Sequence, residues 1–458
     1  MNLWMNPQQI EAMLAKAKKA SREEVERILQ KAESFSGLLP EEIAVLLTLQ
    51  DPALLQRIFQ LAHRMKEQIY GNRIVMFAPL YISDYCVNQC DYCGFQCQNQ
   101  FQRRRLTQKE IAEEVQILEE MGHKRLALEA GEDPRHCDMD YIIESIHTLY
   151  GVKLKSGEIR RINVNIAATT EENYRRLKEA DIGTYILFQE TYHPDTYKKV
   201  HLAGPKANYH YHLTAFDRAM KAGIEDVGGG VLFGLHADYA FEVLGLMLHN
   251  QHLEETFGVG FHTISVPRMK KAEGNDLSGY YPLSDEDFLK IVAILRLAVP
   301  YTGLIISTRE TPVLRKNLIR LGVSQMSGGS SVDVGGYSAK KHQESQFEMA
   351  DNRSNQEVLK WIMAEGMVPS FCTACYRMGR TGDRFMQLAK TGNIKNVCLP
   401  NGLMTLYEYA LDYGDSELQA QVEKLLQREL PSIQQPLAEK KTRENLKRMK
   451  EGERDLYF

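Results

Sequence analysis

The sequence predicts an α/β protein, a (β/α)8 TIM barrel with an N-terminal helical extension and a mostly helical C-terminal domain. Eight short β-type runs follow residue 70, most of them separated by stretches of helical periodicity. Alternating strands and helices imply parallel pairing through βαβ units, and eight such units close on themselves. Residues 1–70 carry helical patterns only, so the expected organisation is an extension over 1–70, a barrel over 71–340 and a last domain over 341–458.

The extension reads as helices over 7–18, 21–34 and 53–69, the second opened by Ser21 as N-cap with Glu24 at the capping-box position. The β-type runs are 74–82, 125–129, 161–167, 184–189, 226–233, 262–266, 304–307 and 323–327. With 458 residues, 43% hydrophobic and 25% charged, the chain can bury a large core. Its net charge of −4 and dispersed basic residues give no electrostatic case for nucleic acid or a membrane surface. No apolar run approaches a membrane span, and the first twenty residues lack a signal-peptide core. Eight cysteines, six in metal-type spacings, fit a reducing, cytoplasmic setting better than a disulfide scaffold; Cys97 and Cys137 are left over as ordinary thiols.

Cys86, Cys90 and Cys93 form a CxxxCxxC loop directly after the first β-type run. Three thiolates leave one iron of a cubane cluster open to a ligand that is not protein. Structural zinc wants four tetrahedral ligands and prefers CxxC pairs. The spacing is the signature of radical S-adenosylmethionine enzymes, which this loop resembles. That resemblance implies a [4Fe–4S] cluster that chelates S-adenosylmethionine and generates a 5'-deoxyadenosyl radical. Barrel topology puts the loop at the C-terminal face, where catalytic residues belong. Gly131 and Glu132, within Glu129-Ala130-Gly131-Glu132 after the second strand, resemble the motif that binds the methionine amino group, and Tyr92 takes the family's aromatic position beside adenine. Asn165, Gln189 and Glu190 are polar groups in apolar runs. They read either as contacts to ribose, methionine carboxylate or substrate, or as satisfied interior hydrogen bonds.

Gly228-Gly229-Gly230 on the fifth strand and Ser327-Gly328-Gly329-Ser330 at the eighth place little volume where barrels stack branched side chains. The expectation is a lumen kept open, which a bulky side chain at Gly229 would fill; bulges or tight turns are the alternative.

A second set, Cys372, Cys375 and Cys398, again supplies three thiolates. Together with Ala127 to Pro134, Asn165 to Thr170, Phe188 to His193, Arg377 to Met386 and Glu451 to Phe458, it resembles the tyrosine-lyase maturases of [FeFe]-hydrogenase, the HydG family, from about Ile74 to the end. The resemblance implies hydrogen abstraction from L-tyrosine and Cα–Cβ cleavage to p-cresol and dehydroglycine. It further implies conversion of dehydroglycine to carbon monoxide and cyanide at a second [4Fe–4S] cluster, where an additional iron carrying L-cysteine collects them. His262, which opens the sixth strand, matches the family's ligand to that iron and should face the N-terminal mouth. With a rise of roughly 3.3 Å per residue and a tilt of about 36°, the mouths lie roughly 20 Å apart, and the open lumen becomes a channel. Arg309, after the seventh strand, reads as a bidentate clamp for the tyrosine carboxylate or as a salt-bridged rim residue. Partners implied are flavodoxin or ferredoxin as reductant and other hydrogenase maturation proteins. The rivals are the tyrosine lyase of thiamine thiazole biosynthesis, which lacks the C-terminal triad, a non-enzymatic iron–sulfur carrier, and a radical enzyme of another substrate class.

Overall fold

Ile74 to Ser83 holds no charged residue and is rich in aliphatic and aromatic side chains, the composition of a strand buried on both faces. It forms β1 (Arg73–Ser83), from which the barrel is built. The structure is a computed structural model that describes residues 4–458 except 156, 273, 274, 276, 340–345 and 393. The other barrel strands are β2 (Arg125–Ala130), β3 (Arg161–Asn165), β4 (Tyr185–Ile186), β5 (Val227–Gly230), β6 (Thr263–Ser265), β7 (Gly303–Ile306) and β8 (Gln325–Ser327). Each pairs in parallel with the next, and Val75 to Phe77 of β1 pair with Gln325 to Ser327 of β8 to close the ring. All eight expected strands form, in the expected order. β4 is short, but the ladder runs past it, with the Leu187 and Gln189 N–H groups donating to the Gly228 and Gly230 carbonyls.

The extension contains four helices, Pro7–Ala17, Arg22–Ala32, Pro40–Thr48 and Pro52–Tyr70. Ser21 accepts from the Glu24 N–H at 3.2 Å, as its pattern predicts. Pro40–Thr48 escapes sequence reading because Pro40 and Ile43 to Leu47 are all buried, so no polar face marks the helical period. The expected boundary between 340 and 341 lies outside the described residues. The C-terminal segment is not merely appended: its strand β9 (Val368–Ser370) pairs with Arg73 to Val75 at the start of β1. No helix among the described residues is long and apolar enough to cross a membrane.

Strand alternation assigns Val75, Phe77, Pro79 and Tyr81 of β1 to the lumen, and their register partners follow. This corrects the reading of the glycines. A Cβ on Gly229 would lie 2.7 Å from the Phe261 ring, on the outer face among the helices, and one on Gly328 would meet Met76 and Val358 there. Gly228 and Gly230 do face inward, but Thr263, Ile186 and Phe188 lean into the space they leave. A side chain at Gly229 therefore attacks the outer core rather than filling a channel. Gly229→Ala should destabilise the fold by about 1–3 kcal/mol through overpacking on Phe261, read as a lower urea midpoint. An unchanged midpoint would mean that Phe261 moves aside freely.

Candidate active site at two mouths of one barrel

At the C-terminal mouth lies a cavity of about 210 Å3. Cys86, Cys90 and Cys93 line it from the loop after β1, joined by Tyr92, Gly131 and Glu132, Asn165, Glu190 and Arg309. Gly131 is required sterically, since a Cβ there would sit 2.3 Å from the Tyr85 carbonyl oxygen and 3.2 Å from the Cys86 Cβ. Only glycine lets the strand-two loop approach the cysteine loop this closely. Glu132 accepts a hydrogen bond from Asn88 Nδ2 at 2.6 Å, and burial raises its pKa. Asn88 also reaches Cys86 Sγ at 3.7 Å and accepts from the Lys206 backbone N–H at 2.9 Å, so one amide ties three segments together.

Lys206 Nζ lies 2.8 Å from Glu190 Oε1, inside the cavity wall. Burial opposes its charge, but the Glu190 carboxylate beside it holds the ammonium above its ordinary pKa. Glu190 itself adopts φ +68, a strained conformation for a non-glycine residue, which this ion pair helps to retain. Tyr92 is buried, with its hydroxyl 2.9 Å from His201 Nε2. Arg309 stacks its guanidinium on the Phe347 ring at 3.4 Å and faces the cavity. Gln189 stands apart from its neighbours: its side chain is buried, Nε2 has no partner, and the residue is absent from the cavity wall. Cys97 and Cys137 are also absent from that wall.

Burial and the neighbouring Cys86 push the Cys93 thiol up to about 11. Without a metal these sulfurs stay protonated, and binding one must expel the protons. Glu129, which accepts from Asn165 Nδ2 at 2.7 Å, is pushed up to about 8 by burial, against the Asn165 hydrogen bond and the Arg309 charge.

The N-terminal mouth holds a smaller void of about 60 Å3, lined by Cys372, Cys375, Cys398, His262, Asp226 and three arginines, Arg73, Arg125 and Arg380. Cys375 and Cys398 lie close enough to share a proton. That sharing and Arg73 lower the Cys398 pKa, while the same sharing raises that of Cys375. Burial keeps His262 neutral, with Nδ1 3.3 Å from Asp226 Oδ1, and a neutral imidazole is the form that ligates metal. Asp226 also accepts from the Gly382 N–H at 3.0 Å, so it fastens the helix Gly382–Lys390 over the void. Phe385 of that helix stands edge-on to His262 at 4.8 Å. Tyr376 rises into the barrel, its hydroxyl 3.1 Å from Thr184 Oγ1 and its ring beneath the Arg161 guanidinium at 4.4 Å.

The two spaces nearly meet. Val75, Arg125, Gly303 and Gln325 line the lower one; Phe77, Ala127, Ile305 and Ser327, two residues further along the same strands, line the upper. These are successive inward positions, a step of roughly 7 Å along the strand at about 3.3 Å per residue. Among the described residues no three His, Cys, Asp or Glu side chains converge tightly enough to hold a single metal ion.

Comparison with known proteins agrees with this geometry. The chain is similar to a crystallised HydG, a maturase of the [FeFe]-hydrogenase, with 54% identity and a TM-score of 0.97, covering 99% of this chain and 100% of that one. The chain belongs to the HydG family. It is also similar to the maturase HydG from Carboxydothermus hydrogenoformans, at 40% identity and a TM-score of 0.85 over 96% and 97% of the two chains. 2-Iminoacetate synthase of Escherichia coli K12 is 29% identical over 78% of this chain and 93% of its own length. The Radical SAM superfamily model matches residues 80–240, and the Biotin and Thiamin Synthesis associated domain matches 265–368.

In this HydG-family chain, sequence reading missed Asn88, Lys206, Asp226, Arg73 and Tyr376. Only Asp226, a carboxylate opening an apolar strand, carried a local signal; the others gain meaning from partners far along the chain. One titration follows from Glu129. Its folded pKa is raised, so its contribution to stability is complete below the unfolded value and disappears as pH climbs through about 8. For the metal-free chain, Glu129→Gln should therefore gain in Tm over wild type as pH rises from about 5 to about 9, and a pH-independent difference would refute the buried-carboxyl assignment.

Proposed function

We propose that this protein is a radical S-adenosylmethionine lyase that cleaves L-tyrosine between Cα and Cβ to p-cresol and dehydroglycine. Dehydroglycine then yields carbon monoxide and cyanide at the second triad for an iron–cysteine synthon used in hydrogenase maturation. The observation that carries this reading is the pairing of two three-cysteine sites at opposite mouths of one barrel, whose cavities are lined by successive inward residues of the same strands. When bound, the first cluster and S-adenosylmethionine supply a 5'-deoxyadenosyl radical.

The chain's own residues have separable tasks. Cys86, Cys90 and Cys93 would hold the first cluster and leave one coordination position open. Glu132, kept in place by Asn88, offers its carboxylate to the methionine ammonium of S-adenosylmethionine, and the Glu190–Lys206 pair offers one acceptor and one cation beside Tyr92. Arg309 lies on an aromatic ring instead of a carboxylate, which favours the clamp over the rim salt bridge. Arg309→Lys should raise the KM for tyrosine about tenfold, because a point cation cannot match the fork; an unchanged KM would assign the clamp elsewhere. Gln189 is given no role in the chemistry, since it does not reach the cavity.

At the lower mouth Cys372, Cys375 and Cys398 would hold the second cluster, with neutral His262 aimed at an added iron. The arginines around it suit anions such as cyanide or a cysteine carboxylate. Flavodoxin or ferredoxin would supply electrons, and other maturation proteins would receive the synthon.

The E. coli relative is named for making 2-iminoacetate, which is dehydroglycine, so the first half-reaction is supported from a second direction. That relative also keeps the thiazole-type lyase as the rival reading. Anaerobic turnover of reconstituted protein with S-adenosylmethionine, dithionite and L-tyrosine separates the two. Wild type should release p-cresol, carbon monoxide and cyanide, and Cys372→Ala/Cys375→Ala should keep p-cresol while losing carbon monoxide. Absence of p-cresol from cluster-loaded protein would exclude tyrosine lyase chemistry.

A further inference from the structure

The strand that carries Cys90 has an outer side. Gln89–Cys90 pairs antiparallel with His201–Ala203, Cys90 opposite His201 and Gln89 opposite Ala203. On this ribbon Leu202 is 54% exposed, and Val87, next to Cys86, is 37% exposed. The two belong to one patch by construction. Gly204, at φ +93, brings its chain against Val87, where a Cβ would lie 2.9 Å from the Val87 carbonyl oxygen. Val87 in turn donates its N–H to the Glu132 carbonyl at 2.8 Å, and the Asp91 N–H bonds Val200 O at 3.1 Å.

The rim of the patch is basic. Lys198 and Lys199 are exposed at the end of the helix Pro194–Val200, and Arg135 is exposed three residues beyond Glu132. On that helix two exposed cations, Lys198 and Lys199, stand against one exposed acidic residue, Asp195, on a chain of net charge −4, whereas Arg135 has exposed Asp138 three residues on.

We propose that this ribbon face is the docking surface for a small acidic one-electron carrier protein of the flavodoxin type. The assignment rests on the radical S-adenosylmethionine reading, which needs an electron from outside for each cleavage. The opposite side of the cysteine loop faces the cavity that substrate and S-adenosylmethionine would fill, so the carrier must come from the solvent side. There the protein is one strand thick: Leu202 adjoins His201, and residues paired across a ladder lie roughly 5 Å apart. One electron leaves the carrier's reduced flavin, which becomes the semiquinone, and one enters the cluster. Redox encounters bury less than about 1,200 Å2, so a two-residue apolar centre with a charged rim is of the right scale. Rim charges act mainly on the association rate and are screened by salt.

The test compares two reductants on the same reconstituted holoprotein, with 5'-deoxyadenosine formation as readout. In Lys198→Glu/Lys199→Glu, turnover driven by reduced flavodoxin at limiting concentration should fall about tenfold or more and lose its inhibition by salt, while turnover driven by dithionite stays within about twofold. Leu202→Ser should weaken binding of oxidised flavodoxin, measured by calorimetry, without changing the dithionite rate. An unchanged flavodoxin-driven rate overturns the proposal, as does an equal loss with both reductants. A concentration-dependent dimer broken by the same substitutions also overturns it, by making the patch a contact between copies of this chain. Should wild type form no 5'-deoxyadenosine even with dithionite, the radical reading fails separately, and calorimetry with oxidised flavodoxin still decides the docking surface.

Discussion

Everything at both mouths hangs from the pairing of one strand. β1 is hydrogen-bonded to β2 and β8 in the barrel wall and to β9 at its beginning. Its first residue, Arg73, lies against the thiols of the lower site, and three residues after its last comes Cys86. Parallel ladders resist sliding because a one-residue slip would turn every lumen residue toward the helices. The separation of the two cysteine triads is therefore set by the register of β1, and a reaction divided between them inherits a fixed distance.

The two ends differ in electrostatic character. The upper cavity gathers three acidic side chains, Glu129, Glu132 and Glu190, against Lys206, Lys270 and Arg309. Burial raises its thiols, so metal binding in the cluster loop must expel their protons. The lower void gathers Arg73, Arg125 and Arg380 around its thiols, with Asp226 as the counterweight. Guanidinium groups stay charged under burial where ammonium groups do not, which suits a site that must hold anionic sulfur away from water.

The lower site is held shut by the end of the chain. Asp455 accepts from Arg377 Nη1 at 2.6 Å and lies 3.0 Å from Arg160 Nε; its N–H donates to Glu408 Oε2 at 2.8 Å. The Phe458 N–H donates to Asn401 Oδ1 at 2.9 Å, and its carbonyl accepts from Arg380. The terminal residues thus brace the segment between Cys375 and Cys398 from outside, a role that their charge pattern alone does not disclose.

The sequence by itself determined the eight strands, their order and the two cysteine triads, because strand periodicity and thiol spacing are local properties. It also placed His262 at the mouth opposite Cys86, since barrel topology orders strand ends. It could not tell which glycines face inward. That depends on the parity of each strand relative to its neighbours, and Gly229 turned out to press on Phe261. Pro40–Thr48 stayed hidden because it is covered on all sides, and Gln189 looked functional although its strand directs it away from the cavity. Asn88 and Lys206 acquired their roles only in three dimensions, where a contact between residues more than a hundred positions apart decides which polar groups are satisfied. Local pattern chooses the elements, but burial and pairing between them choose the chemistry.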